Sequence, residues 1–165
     1  MRTLALVALA SLLACAPGGR WRSQPAPRAA TPTELGAWPV SFAPHSKLSD
    51  PALADRAGAL RAALGEAMAR HGFKLVDPPP KRGDLEVWLG LERAGGSPAV
   101  YATATLRSDG FYVSLAEEQV PAPDLQDVER LKAVAEALAA QLVRTEGLAF
   151  FIRNGGTPAQ TVFTN

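Results

Sequence analysis

Between Leu85 and Leu115 the sequence alternates apolar and polar residues in three runs separated by glycine-bearing turns. A period of two makes each run a strand with one apolar and one polar side, so the chain is committed to an antiparallel sheet with one buried face. Leu85, Val87, Leu89 and Leu91 alternate with Glu86, Trp88, Gly90 and Glu92. Val100, Ala102, Ala104 and Leu106 alternate with Tyr101, Thr103, Thr105 and Arg107, and Phe111, Val113 and Leu115 with Tyr112, Ser114 and Ala116. Asp109-Gly110 is a two-residue hairpin signal that sets Arg107 opposite Tyr112, Leu106 opposite Val113 and Ala104 opposite Leu115. A turn centred on Gly95-Gly96 sets Leu91 opposite Val100, Leu89 opposite Ala102 and Trp88 opposite Thr103.

The apolar face needs a cover, and two segments supply it. Ser49-Asp50-Pro51 starts a helix, with Asp50 as N-cap and Pro51 at the first helical position. Leu53, Ala57, Leu60, Leu64 and Met68 then form one stripe, ended by Gly72. The second helix follows Pro121-Ala122-Pro123-Asp124, with Asp124 as N-cap and Asp127 in the first turn. Its stripe is Leu125, Val128, Leu131, Ala135, Leu138 and Leu142, closed by Thr145-Glu146-Gly147. Phe73 to Asp77 reads as a short strand. Trp38, Val40 and Phe42 alternate with Ala37, Pro39 and Ser41 and read as an edge strand at best, because Pro39 lacks a ladder donor. The apolar run Leu148 to Ile152 either packs on the core or is displayed. The expected fold is α+β, two helices on one face of a mainly antiparallel four- to five-stranded sheet, in the order β-α-β-β-β-β-α.

Upstream, Arg2 precedes an uncharged apolar run from Leu4 to Leu13. That run is too short for a spanning helix, which takes about 20 residues, and has the length of a signal-peptide core. It ends in Leu12-Leu13-Ala14-Cys15, which resembles the lipobox of bacterial lipoproteins. The resemblance implies cleavage between Ala14 and Cys15, a diacylglyceryl thioether on Cys15 and acylation of the new amino terminus. Ala16 stands where the family's inner-membrane retention signal usually has aspartate, which implies the outer membrane. The alternative is an ordinary signal peptide with an incidental cysteine. Several acyl chains, each methylene contributing about 0.8 kcal/mol, would hold the protein on the membrane.

The expected organisation is a signal peptide over 1–14, a lipidated cysteine and tether over 15–33, one domain over 34–152 and a flexible tail over 153–165. Pro17, Pro25, Pro27 and Pro32 suppress regular structure in the tether. Its eighteen residues after Cys15 reach at most about 60 Å. Val162 and Phe163 in the tail have strand character.

Charge narrows the function. Cleavage ahead of Cys15 removes one of the 17 basic residues and none of the 16 acids, so the mature chain is neutral. Arg20, Arg22 and Arg28 cluster in the tether and the domain is slightly acidic, unlike the basic stripe of a nucleic-acid binder. With Cys15 the only cysteine, no intrachain disulfide forms and packing must supply the stability.

Asp50 to Asp77, an amphipathic helix running through His71-Gly72-Phe73 into a strand, is followed by Gly83-Asp84-Leu85-Glu86-Val87. This pattern resembles the amino-terminal domain of TolB and the outer-membrane lipoprotein activators of penicillin-binding proteins. It covers roughly half the chain and brings no catalytic residue with it.

Chemistry-bearing motifs are few. His45 and His71 lack metal-ligand spacing. His71 suits a helix C-terminus, where its charge complements the dipole. No nucleophile elbow or phosphate loop is present. Adjacent Glu117 and Glu118 point to opposite faces, and Asp77 and Asp84 read as solvated. Neither an enzyme nor a bound cofactor or metal is expected. The polar sheet face instead carries Trp88, Tyr101 and Tyr112 beside Arg107, residue types enriched at binding hot spots. They also suit strands for reasons of propensity alone. The sequence therefore points to a lipid-anchored, periplasm-facing module that binds an envelope protein. A structural subunit using Leu148 to Ile152, a small-ligand or lipid carrier, and an enzyme are the alternatives.

Overall fold

The computed structural model describes residues 28–43, 47–48, 53–77, 81, 83–93 and 99–157. The expected signal peptide, Cys15, most of the tether, His45, the Asp50 cap and residues 158–165 lie outside them. Four helices and a mixed sheet form an α+β fold, with the elements α1 (Pro32–Gly36), β1 (Pro39–Phe42), β2 (Lys47–Leu48), α2 (Ala54–Arg70), β3 (Lys74–Leu75), β4 (Leu85–Arg93), β5 (Ala99–Ser108), β6 (Phe111–Pro121), α3 (Val128–Arg144) and α4 (Glu146–Arg153).

The fold begins before the expected boundary at residue 34. Thr31 caps α1 reciprocally: its hydroxyl accepts from the Glu34 N–H, and the Glu34 carboxylate accepts from the Thr31 N–H at 2.7 Å. Pro32 occupies the first turn, where no donor is needed. Ala30 and Leu35 are buried, and Arg153 of α4 donates to the Arg28 and Ala29 carbonyls. Residues 28–33 therefore belong to the domain.

The sheet order is β3-β1-β4-β5-β6, with β2 pairing β4. β4, β5 and β6 are antiparallel, whereas β1 runs parallel to both β3 and β4. β1 is thus interior, not an edge. Pro39 is tolerated because it is the first strand residue, and the N–H and C=O groups that follow do the pairing. β3, one edge, is only two residues long.

Two register corrections matter. β4 and β5 pair Arg93 with Val100, Leu91 with Ala102, Leu89 with Ala104 and Trp88 with Thr105, two residues away from the expected alignment. The expected turn at Gly95-Gly96 itself lies outside the described residues. A shift of two preserves the faces, so Leu85, Val87, Leu89 and Leu91 are all buried as expected.

The second correction does not preserve them. Asp109 and Gly110 adopt φ of 49° and 85° and form the expected tight turn, and Arg107 pairs with Tyr112. Then a bulge intervenes: Leu106 pairs with Ser114 and Ala104 with Ala116, leaving Val113 as the extra residue. Ser114 and Ala116 turn inward, while Leu115 is turned out and is 55% exposed. Ser114 uses its position by donating to the Leu142 carbonyl at 3.1 Å and accepting from the Thr145 hydroxyl at 2.6 Å. This satisfies a carbonyl in the last turn of α3 that has no helical partner.

On the apolar face, Leu60, Leu64 and Met68 of α2 meet Leu138 and Leu142 of α3 in a core where all five are fully buried. Gly72 ends α2 at φ 100°. α3 starts three residues later than a cap at Asp124 would place it, because Ala122–Gln126 is a 3-10 turn. Asp127 is the cap, accepting from the Glu129 N–H at 2.8 Å and the Arg130 N–H at 3.3 Å. After Thr145 the run Leu148 to Ile152 forms most of α4. Leu148, Ala149 and Phe151 are buried, Phe151 packs on Trp38 with ring centroids 5.0 Å apart, and only Phe150 is well exposed. The run is core rather than a displayed contact. No helix among the described residues is long and apolar enough to cross a membrane.

Candidate functional site

The face away from the helices is built by three cross-strand rows. Glu86, Arg107 and Tyr112 form one, Trp88, Thr105 and Leu115 the next, and Gly90, Thr103 and Glu117 the third. In the first two rows the side chains interlock. The Arg107 guanidinium lies 4.8 Å from the Trp88 ring centroid and 4.3 Å from that of Tyr112, so a ring from each neighbouring strand lies against it. It also donates to the Tyr112 hydroxyl. Trp88 is fixed in turn by its indole N–H, which donates to Glu86 Oε2 at 2.6 Å.

Beside this stack lies a shallow concavity of about 120 Å³ lined by Trp88, Gly90, Glu92, Thr103, Thr105 and Tyr112, with Arg107 in its wall. Gly90 contributes no side chain, so the strand surface dips between Trp88 and Glu92. Tyr112 and Leu115 are exposed beside it, 67% and 55%, with Phe111 at the hairpin tip 60% exposed. Large apolar groups concentrated on one face that no described element covers are the pattern of a contact surface.

Of the four residues expected on this face, Trp88, Arg107 and Tyr112 come together. Tyr101 does not join them. It pairs with Glu92 and Gln119, four positions along β5 from Thr105 or roughly 14 Å. Leu115 was expected inside and is part of the surface, because the bulge reverses its direction. The apolar character of Ala116 and Val120, both even-numbered, is the sequence signal for that reversal.

The acidic pairs and histidines are resolved in part. Glu117 faces the open side, opposite Thr103, while Glu118 faces α3 and accepts from Gln141. Gln141 also accepts from the Glu117 N–H at 3.1 Å and donates to its carbonyl at 3.2 Å. This side chain therefore bonds the backbone of β6, the long edge strand, as a neighbouring strand would. His71 sits beside a carboxylate: its Nε2 is 2.7 Å from Glu136 Oε1, and Arg70 holds the other oxygen at 2.8 Å. First Arg70 and then His71 hold Glu136 below the ordinary carboxylate value of 4.5. The trio ties the end of α2 to the middle of α3. Glu34 is likewise lowered, chiefly by its bond from the Thr31 backbone. Among the described residues no group of three His, Cys, Asp or Glu is placed to hold a metal ion.

A second concavity, of about 450 Å³, opens between α2 and the β3 edge, lined in part by Phe42, Arg61, Gly65, Glu66, Leu75 and Asp77. Gly65 lets Leu75 and Phe42 pack closely on α2 at its wall, since a Cβ there would meet Leu75 Cδ1 at 3.3 Å.

No protein-family model and no curated protein matches the chain. Among solved structures, one described as the crystal structure of an uncharacterized protein is similar over 71% of this chain and 89% of its own, with 12% identity and a TM-score of 0.30.

Proposed function

We propose that this chain is a lipid-anchored module of the bacterial outer membrane that faces the periplasm and binds an envelope protein, without catalysing a reaction. The anchor rests on the Leu12-Leu13-Ala14-Cys15 resemblance to a lipobox. The docking role rests on one observation: an arginine flanked by Trp88 and Tyr112 on the sheet face that no helix among the described residues covers. Trp, Tyr and Arg dominate binding hot spots because they supply large rigid area with a polar handle. The fold begins by residue 28, so the thirteen residues from Cys15 to Pro27 set the reach of the leash at about 45 Å at most.

Two substitutions separate the two halves of the proposal. Cys15→Ser is expected to move the protein out of the membrane fraction, and the native chain to carry acyl mass on Cys15. A membrane-bound serine variant would sink the anchor. Trp88→Ala is expected to abolish co-purification of a partner from envelopes while far-UV circular dichroism stays unchanged. Unaltered co-purification would remove the sheet face as the site. The cleft beside Gly65 favours a second reading, a small-ligand carrier. Native mass spectrometry of the full chain would then show retained ligand mass.

A further inference from the structure

We infer that Arg107 is the receptor for a single carboxylate, an Asp or Glu side chain presented by the protein partner. This rests on the docking role assigned above and names the chemistry the partner brings. Three observations carry it. Among the described residues no carboxylate forms an ion pair with Arg107, although Glu86 stands directly across the strand. Glu86 Oε2 accepts the Trp88 indole N–H instead. Arg107 Nε is buried without a hydrogen-bond partner and closed to an outside acceptor, which leaves the Nη groups at the end of the guanidinium to meet one. Rings from both neighbouring strands lie against the guanidinium, so its orientation is set before binding, and its planar fork of N–H groups takes acceptors in its plane. That is the geometry in which arginine takes a carboxylate with two parallel hydrogen bonds.

The adjoining concavity of about 120 Å³ has the scale of the end of an acidic side chain. The surrounding charge limits the ligand further. Glu86 and Glu117 share this face with Arg107, so a dianion such as phosphate is repelled more than one carboxylate. Trp88, Tyr112 and Leu115 provide the apolar rim that a protein segment, rather than a free metabolite, would cover.

The test uses the purified full chain and three capped amino acids, N-acetyl-glutamate amide, N-acetyl-glutamine amide and N-acetyl-lysine amide, with inorganic phosphate as a fourth probe. Amide and indole N–H shifts are followed by NMR. The glutamate compound is expected to move the Trp88 indole and the Arg107 Nε–H signals saturably, and the glutamine compound to leave them in place. Arg107→Gln should weaken this binding by roughly tenfold or more, and Arg107→Lys, which keeps the charge but not the planar fork, should restore only part of it. A response to the lysine compound or to phosphate alone, or no response to any probe, overturns the inference. The docking role fails separately, if Trp88→Ala leaves envelope co-purification intact.

Discussion

Replacing Arg107 with methionine should leave the stability of the domain almost unchanged, an outcome that separates a residue kept for binding from one kept for folding. In the native state the guanidinium makes two cation–π contacts, at 4.8 and 4.3 Å from the ring centroids. Each contributes about 0.5–1 kcal/mol at a partly exposed site. Its bond to the Tyr112 hydroxyl adds roughly 0.5–1.5 kcal/mol. Against these stands the buried Nε without a partner, which costs about 1–3 kcal/mol, while the ordering of a long side chain, about 1.5–2 kcal/mol, is common to arginine and methionine. The opposing contributions cancel to within their spread. Methionine keeps the contact with both rings through its polarizable sulfur and removes the orphan donor. Urea unfolding followed by far-UV circular dichroism should therefore place Arg107→Met within about 1 kcal/mol of the parent. Leu138→Ala, at a fully buried site in the core, should lose about 2–5 kcal/mol in the same assay. A loss above about 2 kcal/mol for Arg107→Met would refute the reasoning, since the stack would then be holding the sheet together.

Other perturbations read other parts of the account. Gly147→Ala should destabilise the fold by about 2 kcal/mol or more, because the new Cβ falls 2.3 Å from the Val113 carbonyl oxygen at the bulge; an unchanged urea midpoint would mean that α4 does not sit there. Gln141→Ala bares the Glu117 backbone on the β6 edge and should produce concentration-dependent self-association in light scattering, while Gln141→Glu, which loses the amide donor, should lie between the two. Glu136 titrates below its ordinary value in the folded state, so its contribution is present above pH 4.5 and disappears as pH falls through its folded pKa. Glu136→Gln should flatten the stability profile in that acid window and leave the neutral region with little added pH dependence; an unchanged acid limb would show that Arg70 and His71 do not stabilise its charged form.

The sheet, its buried face and the two long helices were legible in the sequence because period-two and helical stripes are written by burial itself. The tight turn at Asp109-Gly110 was legible for the same kind of reason, as few residue pairs adopt its positive φ angles. What escaped was whatever depends on distant backbone. Val113 carries no mark of being a bulge residue, and the extra residue is accommodated by Gly147 and by the bond of Ser114 to α3, over twenty-five positions away. The interior place of β1 depends on parallel pairing with β3 and β4, which local alternation does not encode. Helix α1 was hidden in a proline-rich stretch, although Thr31-Pro32-Thr33-Glu34 has the spacing of a capping box. At the site, Trp88, Arg107 and Tyr112 were legible as polar-face residues. Their interlocking was not, because Trp88 sits beside them only in the observed β4–β5 register.

The central claim is that the sheet face bearing Arg107 meets a protein partner, and site-specific photo-crosslinking in intact envelopes tests it most directly. A photoreactive residue at position 115, on the open face, should capture one discrete partner band, and the same residue at position 132, exposed on α3, should not. Capture from position 132 with none from position 115 would contradict the account.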